Sequence, residues 1–240
     1  MGEWSVGARV AATAAAALIL SACAGLPTGG GFGPEQVNFA AGSTLGGELP
    51  GRDVEVLHDV FLTAIETGAP DEPASWSGRA ARGAVIPGGY LLAGLRPDPA
   101  DLLAAPPGLE ITHVLETELG LYVLTRNSNV RRGPGTDRDI LEVLPSGTGV
   151  DVVGRVVDRP WMLVAIDDEA RGYIAQKLLI RAPGSELLLA GGPRRRPHLC
   201  REFTQRLELY GRLDEWSGVA CNRGDGWRLE IPENAPVRLF

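Results

Sequence analysis

The chain is poor in lysine, in histidine and in apolar runs of membrane-spanning length. Lys177 is the only lysine among 23 basic residues, a bias that reads as a GC-rich genome rather than as chemistry. The three histidines, His58, His113 and His198, are scattered. None falls in a zinc-type HExxH or HxxEH spacing, and none has the setting of a nucleophile's partner. No phosphate loop or dinucleotide fingerprint is present, so no cofactor and no metal site is expected. Aromatic residues make up 6%, while Gly 32 and Pro 18 together are about a fifth of the chain, which favours short strands and loops over long helices. A net charge of −7 leaves no electrostatic footprint for nucleic acid or anionic lipid. What remains is a 240-residue chain with room for one or two compact domains.

The N-terminal apolar run, Val10 to Leu20 behind Arg9, is about half of the roughly 20 residues a span needs. It therefore reads as the core of a signal peptide. It ends in Leu20-Ser21-Ala22-Cys23, which resembles the bacterial lipobox: a branched apolar residue, two small residues, then the cysteine whose sulfur takes the lipid. The resemblance implies cleavage of residues 1–22 and a membrane anchor through palmitate-type acyl chains on Cys23. Two or three chains at ~0.8 kcal/mol per buried CH2 suffice for stable attachment, whereas one is marginal. The alternative is an ordinary signal peptide that happens to carry a cysteine, and Glu3 makes the leading segment less positive than usual. Ala24, in place of an aspartate, points toward the periplasmic face of an outer membrane.

Residues 23–52 hold Gly29-Gly30-Gly31 and little apolar periodicity, the composition of a flexible tether. Asp53 is placed to cap a helix in which Leu57, Val60, Phe61, Ala64 and Ile65 keep helical spacing, with Gly68 beyond its end. Trp76, Val85-Ile86 and Tyr90-Leu91-Leu92 then suggest short strands between glycine-rich turns. From Leu119 the text changes to five apolar runs of strand length: Leu119–Thr125, Ile140–Leu144, Val150–Val157, Trp161–Ile166 and Gly172–Leu179. With Gly, Pro, Asn and Asp between them, they predict a small barrel.

Asn127-Ser128-Asn129-Val130-Arg131-Arg132-Gly133-Pro134-Gly135-Thr136 resembles the signature of bacterial SH3-like (SH3b) domains. Gly147, Trp161 and Gly172-Tyr173-Ile174 follow in that family's order, although Pro160 stands where a glycine usually precedes the tryptophan. The resemblance covers residues 119–181 and implies an SH3-like β-barrel that binds peptidoglycan or cell-wall peptides. Asn127, Asn129, Arg131, Trp161 and Tyr173 would be its ligand-binding candidates. The competing reading makes Trp161 a half-core residue and packs Arg131 against an aromatic ring or a carboxylate.

The flanks resemble a second family. Cys200-Arg201-Glu202-Phe203 and Gly218-Val219-Ala220-Cys221-Asn222-Arg223 through Trp227 are similar to the C-terminal domain of rickettsial-type surface-antigen lipoproteins. The helix, Trp76-Ser77 and Gly83 to Pro87 are similar to that domain's earlier part. This implies that the barrel is inserted into a small α+β domain whose halves, residues 53–112 and 195–235, meet in space. The expected fold class is thus mainly β with one helix.

Independently of any family, a two-residue turn at Tyr210-Gly211 sets Leu209 opposite Arg212, and counting outward brings Cys200 opposite Cys221. That position is a non-hydrogen-bonded pair, where opposing side chains are closest, so a cross-strand disulfide fits in an exported protein. Two free thiols or metal ligands are the alternative. Asp167-Asp168 and Glu116/Glu118 read as solvated turn and strand edges, and Arg194-Arg195-Arg196 as a solvated linker. With Cys23 taken by lipid and the other cysteines paired, no thiol is left for a wall amidase. The expectation is a non-enzymatic envelope lipoprotein that docks on peptidoglycan. An adaptor for another envelope protein is the alternative, and a cryptic peptidoglycan hydrolase is a third reading.

Overall fold

The computed structural model describes residues 37–95, 102–182 and 192–230; Cys23 and most of the expected tether lie outside them. One α-helix, α1 (Gly51–Thr67), shows Leu57, Phe61, Ala64 and Ile65 buried along one face, the stripe its spacing predicts. It lies against β1 (Ala74–Ser77) and β2 (Ala81–Ala93). Asp53 does not cap the helix. Its carboxylate accepts the backbone N–H groups of Arg79, Ala80 and Ala81 at 2.7, 2.8 and 2.9 Å and so fixes the β1–β2 turn. At Gly78 a Cβ would lie 2.4 Å from that carboxylate, so only glycine leaves the acceptor its place.

Short expected strands merge into a single long one in β2, which runs through Pro87-Gly88-Gly89 without ending. Pro87 brings no N–H to the ladder, and the pairing of β2 with β12 (His198–Leu209) slips between Arg201 and Phe203 at that place. Beyond β12, the hairpin turns at Tyr210 and Gly211, both at positive φ of 51° and 79°, the backbone a two-residue primed turn requires. The register of β12 with β13 (Arg212–Asn222) then follows the counted pattern from Leu209↔Arg212 to Cys200↔Cys221. The disulfide Cys200–Cys221 is present. The edge strand β14 (Trp227–Glu230) completes this side.

Residues 37–50 form no loose tether. Phe39 and Ala40 are buried with Leu45 and Leu49, Phe39 stacks on Phe61 at 4.1 Å, and Phe61 meets Phe203 edge-on at 4.9 Å. Asp214 on β13 holds the segment down by accepting Ser43 Oγ, Thr44 N–H and Thr44 Oγ1 at 2.8, 2.7 and 2.9 Å. Apolar side chains this numerous stabilise a packed strap more than they cost in chain entropy.

The middle segment carries β4 (Leu115–Leu124), β5 (Ser128–Arg131), β6 (Ile140–Leu144), β7 (Gly149–Val156), β8 (Trp161–Ile166), β9 (Glu169–Ala175) and β10 (Leu179–Arg181). The run expected as one strand from Gly172 breaks at a 3-10 turn, Gln176–Leu178. Asp167 and Asp168, at φ 53° and 58°, make the tight β8–β9 hairpin. Strand order is β6-β5-β9-β8-β7-β4-β10, antiparallel throughout. The ladder is open: no pairing joins β6 to β10 among the described residues. Both ends nevertheless feed one apolar cluster, with Val130 and Leu144 from one side and Leu124 and Leu179 from the other.

Two short strands stitch this segment to its flanks. β3 (Leu103–Ala105) pairs antiparallel with β2 and touches β9 in parallel. β11 (Arg194–Arg195) pairs with β4, so the basic run expected as a solvated linker is partly strand. Strands β2 and β12, one on each side of the middle segment, pair antiparallel from Ala81↔Leu209 to Ala93↔His198.

Candidate functional site

The five residues expected to form a ligand groove are not brought to one exposed face. Trp161 and Tyr173 are 8% and 0% exposed, inside a cluster with Leu92, Leu95, Leu103 and Leu109 from the preceding half. The Tyr173 hydroxyl donates to Glu110 O at 2.6 Å; burial first, then the nearby Glu110 carboxylate, push its phenol well above the ordinary range. Arg131 spends a guanidinium N–H on Arg138 O at 2.6 Å. Asn127 Oδ1 accepts the Ser146 N–H at 2.9 Å, a turn-stabilising role. Asn129 is half-buried on β5. The physical reason is alternation: Met162 and Val164 of β8 face the segment's own core, so Trp161, Leu163 and Ala165 face the other way. There the flanking elements cover them.

A depression of about 470 Å3 lies elsewhere on the same segment among the described residues. Leu119, Tyr122, Met162 and Leu179 supply its apolar part, and Arg155, Lys177 and Arg181 its charge. Sheet register assembles it. Arg181 stands opposite Tyr122 across the β10–β4 ladder, with its guanidinium carbon 5.6 Å from the ring centroid and one N–H donated to the Tyr122 hydroxyl at 3.2 Å. Arg155 stands opposite Glu116 across β7–β4 and donates to it through Nε at 3.0 Å. Arg194 reaches the other oxygen of Glu116 at 3.8 Å. The 3-10 turn, held by the Gln176 N–H on Pro160 O at 2.9 Å, carries Lys177 exposed on the rim. In a chain of net charge −7, three cationic side chains thus line one concavity, with Arg155 neutralised by Glu116. Among the described residues that line it, none carries a thiol, an imidazole or a carboxylate.

Sequence reading missed this site because its residues come from strands far apart in the chain. The one signal was Lys177, the single lysine, set aside as a compositional accident.

A second concavity of about 390 Å3 is lined by Arg196, His198, Asn222 and Arg223 beside the disulfide. Burial, then the adjacent Arg223 charge, hold the His198 imidazole below its ordinary value. Its ring lies with the two cysteine sulfurs inside 4.8 Å. Those sulfurs are bonded to each other, so neither is a thiolate that a metal ion could take.

Among curated proteins and among solved structures, nothing matches the chain. Residues 126–180, from just before β5 into β10, match the family described as the bacterial SH3 domain.

Proposed function

We propose that this chain is a non-enzymatic, lipid-anchored protein of the cell envelope that binds peptidoglycan through its SH3-like segment. The observation that carries the reading is the bacterial SH3 match at residues 126–180, on a segment that also holds the depression lined by Arg155, Lys177 and Arg181. Proteins with such domains are often involved in cell-wall binding. The lipobox-like Leu20-Ser21-Ala22-Cys23 supports the anchor, and the Cys200–Cys221 bridge supports an oxidising compartment. The surface-antigen-like flanks form the platform into which the SH3-like segment is inserted, on the periplasmic face of an outer membrane.

The test is sedimentation of the full chain, in mild detergent, with purified sacculi. Retention in the pellet is expected; a folded chain left in the supernatant at low salt rules the reading out. For the anchor, metabolic labelling with a clickable palmitate should tag the wild type and not Cys23→Ala, and an untagged wild type would refute it.

One observation favours the adaptor reading. β6 pairs on one side only among the described residues and exposes Ile140 and Val143, an edge to which a partner's strand can add. Crosslinking in cells that recovers one defined protein and no wall fragments would select it.

A further inference from the structure

We infer that His198, Cys200 and Cys221 form a redox-gated site for zinc, closed while the cysteines are bridged and opened when a dithiol reduces them. The inference goes beyond wall binding and does not depend on it.

The strands bring the three donors together. His198 and Cys200 stand two residues apart on β12, so alternation turns both side chains to one face. Cys221 lies directly opposite Cys200 on β13. The imidazole nitrogen and the two sulfurs all fall within 4.8 Å of one another. Around a tetrahedral zinc, with Zn–S of roughly 2.3 Å, two sulfurs sit about 3.8 Å apart, so small side-chain rotations suffice once the bridge is cut. The His198 ring also donates to the Arg196 backbone carbonyl, the kind of outer partner that orients a metal-ligating imidazole. Gly94 leaves room for that ring, since a Cβ there would lie 3.0 Å from His198 Cε1. One nitrogen and two sulfurs suit zinc, whereas magnesium and calcium take oxygen donors. The described residues supply three ligands, and the concavity beside His198 and Asn222 leaves a fourth position to water. Arg223 on its rim is matched to Glu230 at 2.6 Å.

The opening step is thiol–disulfide exchange. One thiolate of the dithiol attacks a bridge sulfur to give a mixed disulfide, and its second thiol displaces the other bond. The Cys200–Cys221 bond breaks, a disulfide forms in the dithiol, and two electrons and two protons pass to the cysteine sulfurs. Zinc then sends both protons to solvent, and two thiolates balance its double charge. Both sulfurs are buried, so attack follows local opening of the edge strand β14, whose Arg228 faces Cys221.

The experiment is a cobalt(II) titration, followed by absorbance, of the full chain carrying Cys23→Ala in mild detergent, before and after reduction with a phosphine and its removal. The reduced chain should take one cobalt per chain with thiolate charge-transfer and tetrahedral d–d bands, and zinc should displace it. The bridged chain should show neither band. His198→Ala, reduced, should bind at least about tenfold more weakly. If reduction unfolds the chain, zinc should restore its near-ultraviolet circular dichroism; failure to do so overturns the inference. No thiolate band in a folded reduced chain also overturns it. So does an affinity unchanged by His198→Ala, or equal binding by the bridged chain.

Discussion

The SH3-like segment and its flanks build their cores by different means. The segment's own cluster is almost wholly apolar: Val130, Val150, Val152, Met162, Val164, Ile174 and Leu179. It is shaped by tight local turns such as Asp167-Asp168. The flanks bury charge instead. Arg201 has 0% exposure and donates to Ala64 O, Ile65 O, Gly68 O and Gly88 O, at 3.1, 2.8, 2.6 and 3.0 Å. Ile65 O and Gly68 O lie in and just beyond the last turn of α1, where carbonyls lack intrahelical donors, and Ala64 O also accepts the Gly68 N–H, so one side chain on β12 finishes a helix far away in the chain. Asp53 does the same for the β1–β2 turn. The difference teaches that a core made of neighbours needs little polar addressing. One made of two distant halves uses buried, fully hydrogen-bonded groups to fix its partners.

The comparison breaks first at Arg201. Arg201→Met leaves several buried carbonyls without a donor and should cost about 4 kcal/mol, measured by urea unfolding. Trp76, Trp216 and Trp227 report on the flanks, and the Met162 methyl resonance reports on the segment. If Met162 keeps its native shift while the flanks melt, the two cores are separable. If both vanish together, the shared Trp161–Tyr173 cluster has made them one unit. Next, Cys200→Ser with Cys221→Ser should cost about 3 kcal/mol in the chain-entropy account, read from the same curves. A loss felt equally at Met162 would blur the distinction.

Asp53→Ala should cost about 2 kcal/mol, and it carries a pH signature. Burial alone would raise the Asp53 carboxyl, but the Arg79, Ala80 and Ala81 N–H groups outweigh it, so the group titrates below its ordinary value. Its contribution is fully present above the unfolded value of ~3.9 and is lost as pH falls through the folded value. The wild-type flanks should therefore weaken on acidification below about pH 4, and Asp53→Asn should flatten that slope in a pH series of thermal melts. Tyr173→Phe removes one buried donor, and the loss of its bond to Glu110 should cost about 1 kcal/mol at the junction between the regions. Lys177→Ala is the smallest in stability, within ~0.5 kcal/mol. An unfolded Lys177→Ala variant would mean that the rim has a structural role.

Much was legible in the text. Leu57, Phe61, Ala64 and Ile65 announce the helix by spacing, and β6 and β8 coincide with their apolar runs. The Tyr210-Gly211 turn alone sets a register that ends in the disulfide. Misreadings share one cause. Asp53 looks like a helix cap because a cap is the nearest local use for it; the N–H groups it accepts lie 26 to 28 residues onward. Trp161 and Tyr173 look like ligand aromatics because their sequence signature does not say which face of β8 and β9 a second domain will cover.

The order of letters determined what a few residues can decide among themselves: turn conformation, strand alternation, the helix stripe and the pairing of two cysteines across a hairpin. Tertiary structure decided which surfaces stay open. Burial and convergent charge depend on strands brought together from remote parts of the chain, so Arg155, Lys177 and Arg181 become one depression only when β4, β7 and β10 have taken their places.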